Sequence, residues 1–288
     1  MKARELILSK QIQWAKNRDI VLTGSKGERG RPVYTKTLDQ NLFGPLDERT
    51  ITQFKGGNGN EIQGTVDTPA KMQALHSSSA LAVNIFHYWQ KKRLYNEIAA
   101  ACGFCDKGSQ YVNQIDFERK FQIKTKFVVP PHIDVVLSGS VQKKGKLFAI
   151  ESKFSEAYST IKHEGLKDKY LLEEDLWQEF PNLHNLAKKI NPNDNQFTYL
   201  HAAQLIKHIL GLHMKVKKDG FKLLYLWYDA LGIEGGTHRN EIAIFTEYAR
   251  ADGVFFISKS YQELIISLAN DYRDEHTAYI QYITERYL

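Results

Sequence analysis

Two apolar runs separated by a polar turn constrain the fold of this chain more than any other feature. The first run covers residues 130–137 and the second covers residues 146–154, and both are rich in Val, Ile and Phe. Small and polar residues at 138–140 and 143–145 lie between them. Runs of this length and composition, bounded by Gly, Ser and Lys, are typical of two neighbouring strands joined by a turn.

Charged side chains lie at one end of these two predicted strands. Period-two alternation places Glu151 and Lys153 on the same face of the second strand. An antiparallel pairing would bring Asp134, in the first strand, beside them. Two carboxylates suit Mg²⁺, which binds through one or two acidic side chains plus waters and substrate phosphate. Such an ion polarises a phosphoryl oxygen and lowers the pKa of bound water. The sequence therefore predicts a Mg²⁺ site next to an ammonium group.

The pattern Asp134 … Glu151-Ser152-Lys153 within apolar strands resembles the PD-(D/E)XK nuclease superfamily. Pro131 precedes Asp134 by three residues instead of one, which departs from the family pattern at the entry to the strand. The resemblance implies that Asp134 and Glu151 hold Mg²⁺, with Mn²⁺ as a possible substitute. It also implies that Lys153 acts on water or phosphate and that hydrolysis leaves a 5′-phosphate. A wider likeness to bacterial restriction-endonuclease-like proteins covers residues 54–156, including a Gly-rich turn at 56–59.

The resemblance suggests further acidic residues for the site. Residues 116–123 alternate as a strand should, and many nucleases of this fold use an acid on that strand to assist. Glu118 is the candidate, and the alternative is a cross-strand partner for a lysine. Glu61 and Glu97 are candidates for a supporting role at the metal, or else they are solvated or capping carboxylates.

Four side chains are candidates for nucleic-acid binding. Nucleases of this superfamily often place a polar or basic residue on the helix after the motif strand, which points to Gln204 and Lys207, although a solvated helix face is an equal alternative. Residues 232–240 are predicted to form an exposed loop. Arg239 and Asn240 in that loop could read purine edges, or the loop could be an ordinary connection.

The remaining pattern predicts an α/β fold with a mixed central β-sheet flanked by helices, a restriction-endonuclease-like core. An N-terminal helical and loop extension is assigned to residues 1–75 and the core to residues 76–288. The run Ser77-Ser78-Ser79 is predicted to cap a helix in which Asn84 is a structural cap or a buried clamp on a loop. Further strands are predicted at 221–229, 241–245 and 253–257, and the tail from Tyr261 is predicted to be helical.

Composition excludes several classes of protein. The 288 residues carry a formal net charge of +6, with a sequence pI near 9.0, which favours a polyanionic partner. No apolar run reaches the ~20 residues that cross a bilayer, and the N-terminus lacks a signal-peptide core. The two cysteines fit a reducing compartment, so a cytoplasmic location is expected. The glycine-rich segments do not match a phosphate-binding loop of ATPases.

The favoured function is a Mg²⁺-dependent endonuclease acting on double-stranded DNA, with restriction of foreign DNA as its role. A palindromic target would require a homodimer, since half-site symmetry mirrors protein symmetry. Two alternatives remain open: a repair, recombination or mobile-element nuclease of the same fold, and a non-catalytic nucleic-acid binder.

Overall fold

A five-stranded mixed sheet forms the centre of the molecule, as seen in a computed structural model that describes residues 2–56, 61–65, 67–139, 146–159 and 161–288. Its strand order is β3-β4-β5-β6-β7. The pairs β3–β4 and β4–β5 are antiparallel, and the pairs β5–β6 and β6–β7 are parallel. A separate two-stranded ribbon pairs β1 with β2. The strands are β1 (Leu22–Thr23), β2 (Tyr34–Thr35), β3 (Gln114–Lys120), β4 (His132–Ser138), β5 (Leu147–Lys153), β6 (Phe221–Trp227) and β7 (Phe256–Ser260).

Helices lie against both faces of the central sheet. Ser152 Oγ contacts the Tyr261 hydroxyl of α9 at 2.6 Å, and Glu151 contacts His208 of α7. Because successive strand residues point to opposite faces, these two helices lie on opposite sides. The helices are α1 (Ala3–Lys16), α2 (Glu48–Lys55), α3 (Ser78–Lys92), α4 (Tyr95–Ala101), α5 (Asp168–Leu171), α6 (Pro181–Lys189), α7 (Ala202–Val216), α8 (Ile233–Ala251), α9 (Tyr261–Tyr272) and α10 (Thr277–Tyr287).

The predicted α/β class with a mixed sheet flanked by helices is confirmed. Strands β4 and β5 occupy the two apolar runs, and β6 occupies most of residues 221–229. The turn predicted at 138–140 and 143–145, and the Gly-rich turn at 56–59, fall largely outside the described residues. The main hydrophobic core contains residues from both sides of position 75. Ile7 and Phe54 precede that position, and Leu81 and Phe86 follow it. The domain boundary at residue 75 stays a prediction.

One predicted strand and one predicted loop are wrong. Residues Ile233–Ala251 form the continuous helix α8, so 241–245 is not a strand and 232–240 is not an exposed loop. Ile242, Phe245 and Ala249 are buried, whereas Ile244 is 42 % exposed. This spacing of three and four residues is that of a helix face. The short β-branched run therefore packs as part of an amphipathic helix.

Asn84 on α3 is a buried clamp, as predicted, and Ser77 caps that helix by accepting from Ala80 N. Asn84 Oδ1 accepts a hydrogen bond from Phe43 N at 2.7 Å. Its Nδ2 donates to Asn41 O at 3.0 Å and to the Tyr287 hydroxyl at 2.9 Å. The amide thus joins the segment before α2 to α3 and α10.

His238 on α8 should make the fold sensitive to acid. The ring is fully buried, with Nε2 3.0 Å from the Tyr225 hydroxyl, and burial lowers its pKa to about 3. The unfolded chain binds a proton below about pH 6.5, whereas the folded chain excludes it, so stability is complete above that pH and falls as the pH decreases towards 3. We expect His238 alone to cost about 2 kcal/mol between pH 7 and pH 5, at ~1.4 kcal/mol per pH unit below 6.5.

Urea unfolding at pH 7, 6 and 5 measures this loss. His238→Gln should flatten the dependence of the unfolding free energy on pH by ~1.4 kcal/mol per unit. A slope that is the same in the variant and the wild type would contradict the assignment.

Candidate active site

Three carboxylates lie side by side across β3, β4 and β5. Phe117 pairs with Val135, and Arg119 pairs with Ile133, so the register places Glu118 opposite Asp134. Val135 pairs with Ile150, which places Asp134 opposite Glu151 at the end of the β4–β5 ladder. Directly opposed residues of an antiparallel pair share one face of the sheet. The three acidic side chains therefore converge on one face.

Glu118 has an unusual backbone conformation. Its φ of 51° lies in the left-handed region, which a non-glycine residue seldom occupies. The pairs on either side of it keep the same register, so the distortion is confined to this position. Backbone strain of this kind concentrates at functional sites, and here it falls on the residue beside Asp134.

Glu151 is held from two sides. It is 1 % exposed, with Lys153 Nζ 2.6 Å from its Oε1 and His208 Nε2 2.7 Å from its Oε2. Burial by itself would raise the pKa of Glu151, but the nearby Lys153 and His208 outweigh it and lower the pKa to about 2. Glu151 is therefore a carboxylate at neutral pH. The same pairing raises the pKa of Lys153 despite its burial, so Lys153 is an ammonium.

The pKa values of Asp134 and Glu118 shift in the opposite direction to that of Glu151. Burial and the charges of Glu151 and Glu118 raise the pKa of Asp134 well above its usual range, although Asp134 Oδ2 accepts a hydrogen bond from Ser152 N at 2.7 Å. Burial, with the charges of Glu61 and Glu151, raises the pKa of Glu118 to about 7. Both raised pKa values favour the protonated acid, because three ionised carboxylates would exceed the positive charge that Lys153 supplies.

These residues fit a divalent cation. Glu151 Oε1 is buried and lies within ion-pair distance of Lys153, but no described group donates a hydrogen bond to it with suitable geometry. A cation at Glu151 and Asp134 would use that oxygen and relieve the repulsion between the carboxylates. Within the described ranges, no cluster of three or more His, Cys, Asp or Glu side chains is arranged to hold a metal. Mg²⁺ needs only one or two protein carboxylates.

Almost the whole chain matches the model of a known protein family. Residues 4–288 match the model of the family REase-ARP, described as "Restriction Endonuclease associating with ARP". The chain belongs to this family. No curated protein and no solved structure gives a significant match. The restriction-endonuclease-like character expected from the sequence is confirmed at the level of the family.

In the REase-ARP chain, one of the residues predicted to bind nucleic acid contacts Lys153 of the site. Gln204 on α7 accepts a hydrogen bond at Oε1 from Lys153 Nζ at 3.0 Å. Lys207, one turn further along that helix, is half-buried and lines a neighbouring cleft. Glu61 is close enough to Glu118 for its charge to raise the pKa of Glu118. Glu97 on α4 instead lies near Tyr272 of α9, where its charge adds to the effect of burial in raising the pKa of the tyrosine.

Among the described residues, no hydrogen bond or ion pair joins Arg239 or Asn240 to the three carboxylates. Both are exposed on helix α8 instead of in the predicted loop. Arg239 Nη1 forms an ion pair with both carboxylate oxygens of Asp229, at 2.5 and 2.7 Å. A role for them in nucleic-acid binding stays a prediction, and binding through Arg239 would require an exchange of partners.

Sequence reasoning missed the contact of His208 with the site. His208 is 2 % exposed and is the only described side chain besides Lys153 in ion-pair contact with Glu151. It follows Gln204 by four residues, and residues at i and i+4 share one face of a helix. That spacing was the available signal, since Gln204 is itself predicted to support the motif.

In the part of the chain that the structure describes, no helix is long and apolar enough to cross a bilayer.

Proposed function

We propose that the chain is a metal-dependent endonuclease of the PD-(D/E)XK superfamily that hydrolyses phosphodiester bonds in double-stranded DNA. The alignment of Glu118, Asp134 and Glu151 across three adjacent strands, with Lys153 beside Glu151, carries this proposal. Membership of a restriction endonuclease family and the net charge of +6 support it. In this proposal Asp134 and Glu151 are the Mg²⁺ ligands.

Each side chain has a distinct role in this proposal. Bound Mg²⁺ would supply a Lewis acid for the phosphoryl oxygen and a lower pKa for a coordinated water. Lys153 Nζ, oriented by Glu151 and Gln204, stays protonated because its pKa is raised, so it stabilises phosphoryl charge as a cation and does not act as a base. Glu118 supplies a third acidic group beside Asp134.

Restriction of foreign DNA is the role that the family description favours. A palindromic target would call for a homodimer, which light scattering of the purified protein would test. The family description also names association with ARP, and this chain is proposed to share that association.

Cleavage of supercoiled plasmid in Mg²⁺ tests the chemistry. Wild-type protein should cut, and addition of EDTA should stop it. Lys153→Met should reduce the rate at least about 100-fold, since the variant keeps the volume of the side chain but loses its positioned charge. Lys188→Met, at an exposed lysine on α6, should cut at the wild-type rate.

The same experiment separates the competing functions. Discrete bands indicate restriction at defined sites, whereas a smear indicates a nuclease for repair, recombination or mobile elements. Salt-dependent DNA binding without cleavage in either Mg²⁺ or Mn²⁺ would overturn the enzyme proposal and indicate a binding protein.

A further inference from the structure

A cleft of about 790 Å³ lies beside the three carboxylates. Gln204 and His208 of α7 line it while they contact Lys153 and Glu151. His132 lines it too, and its Nδ1 is 3.6 Å from Glu118 Oε2. The wall of the cleft and the partners of the carboxylates are therefore the same side chains. The cleft is thus adjacent to the carboxylates, with these three side chains between them.

The lining of the cleft is basic. It contains Lys162, Lys167, Lys169 and Lys207, whereas Glu164 is the acidic side chain among the described lining residues. Burial lowers the pKa of Lys207, and the charge of Lys167 lowers it further against the opposing effect of Glu164. The ammonium groups therefore repel one another, and bound phosphate groups would relieve that repulsion.

The cleft also has apolar and flat surfaces that a purely ionic site would not need. Val128, Val129 and Ile161 line it with exposed fractions of 83, 64 and 77 %. The rings of His163 and His201 stack with their centroids 4.6 Å apart and their planes 12° apart. Burial lowers the pKa of both rings, to about 3 for His201, so this stack is uncharged at neutral pH.

A free polar atom lies in the same stack. His163 Nε2 is buried, and no described group forms a hydrogen bond with it. A buried polar atom without a partner is uncommon. Once the ring turns to expose this nitrogen, the edge of a nucleobase, which carries both donors and acceptors, could satisfy it in either tautomer.

We propose that this cleft binds an unpaired segment of nucleic-acid strand that leads from the phosphodiester to be cut, an inference that rests on the proposed nuclease function. A basic groove combined with surfaces on which bases can pack is the usual arrangement for single strands. The volume lies in the range of about 300–1,000 Å³ that is typical of small-molecule sites, which suits separate nucleotides and not a duplex. The enzyme thus opens or selects unpaired DNA next to the cut.

Binding without metal tests this inference independently of cleavage. Fluorescence anisotropy in EDTA would compare a labelled single strand of about 12 nucleotides, within the ~4–16 that a strand-binding domain covers, with its duplex. We expect the single strand to bind about tenfold more tightly. The double variant Lys167→Ala/Lys169→Ala should weaken its binding about tenfold and reduce the slope of log K against log salt by about 1.4, at ~0.7 for each lost phosphate contact.

Matched controls distinguish the cleft from general surface charge. Lys188→Ala/Lys215→Ala removes two exposed lysines from outside the lining and should change the affinity less than about twofold. Val128→Asp adds a repulsive charge at the rim and should weaken single-strand binding, whereas Val21→Asp, at a site 59 % exposed and outside the lining, should not.

Two results would overturn the proposal: a duplex that binds as tightly as the single strand, or cleft variants that behave like their controls. Cleft-dependent binding by a protein that never cuts in Mg²⁺ would support this inference and overturn the nuclease function alone. Cleavage in Mg²⁺ that is unaffected by the cleft variants, with single-strand binding that is also unaffected, would support the nuclease function and overturn this inference.

Discussion

Asp134→Asn should yield a protein that is more stable than the wild type without metal and at least about a thousandfold slower in Mg²⁺-dependent cleavage. Burial, followed by the charges of Glu151 and Glu118, raises the pKa of the wild-type carboxyl group well above its usual range. An amide at this position does not ionise, so it avoids the free-energy cost of placing a carboxyl group here, and it can still accept the hydrogen bond from Ser152 N. We expect a gain of about 1–2 kcal/mol, or roughly 3 °C in Tm.

The loss of activity has a separate cause. An amide is a weaker ligand for Mg²⁺ than a carboxylate, because it brings no charge to a hard cation. A thousandfold decrease corresponds to about 4 kcal/mol of transition-state stabilisation, within what a metal ion supplies. Ten times its Kd of Mg²⁺ should stabilise the wild type by about 1.4 kcal/mol, and this stabilisation should be absent in Asp134→Asn.

Thermal unfolding with and without Mg²⁺, alongside plasmid cleavage, measures both effects. Asp274→Asn, at an exposed aspartate after α9, is the control and should match the wild type in each assay. An Asp134→Asn protein that is less stable without metal, yet still cuts at the wild-type rate, would show that the carboxylate is structural and not a metal ligand.

The part of the site on β4 and β5 is local enough to be predicted from sequence. Asp134, Glu151 and Lys153 lie within two apolar runs that follow one another in the chain. Strand alternation places Glu151 and Lys153 on one face, and the antiparallel pairing of the two runs brings Asp134 beside them. Glu118 needed more, because its place opposite Asp134 depends on the β3–β4 register. The contact of His208 with Glu151 depends on how α7 packs against β5. The helical pattern predicts that one face of α7 is buried, but not which strand residues that face contacts.

Helix α8 shows where the fold could not be predicted from a short window. Residues 241–245 are rich in β-branched and aromatic side chains, and such runs do not distinguish a buried strand from a buried helix. Two glycines at 235 and 236 further disguise the first turns of the helix. A Cβ atom at Gly235 would lie 1.6 Å from Ala230 O, so this glycine reflects a close approach of the preceding loop and not a break in the helix.

Glu241 on α8 fixes the segment that leads into α7, and its removal should strongly destabilise the fold. The side chain is 5 % exposed. Its Oε1 accepts from Thr198 N at 2.6 Å, and its Oε2 accepts from Tyr199 N at 2.8 Å and Leu200 N at 2.9 Å. Helix α7 begins two residues later, at Ala202, and carries Gln204 and His208.

We expect Glu241→Ala to lower the free energy of unfolding by about 3 kcal/mol, or roughly 6 to 10 °C in Tm. Hydrogen bonds to a charged acceptor contribute about 1.5–3 kcal/mol, and the Leu200 N–H would be left buried without a partner. Glu247→Ala removes an exposed glutamate from the same helix, where its partner is Arg250 at 2.8 Å, and should change stability by less than about 0.5 kcal/mol.

Activity below the unfolding temperature shows whether Glu241 also positions the site. Loss of the three hydrogen bonds frees the start of α7, which orients Lys153 through Gln204 and Glu151 through His208. Misplacement of catalytic groups by about 1 Å costs on the order of 100-fold in rate. Folded Glu241→Ala should therefore cut more slowly than Glu247→Ala. Equal rates would show that packing against the sheet positions α7 without the help of Glu241.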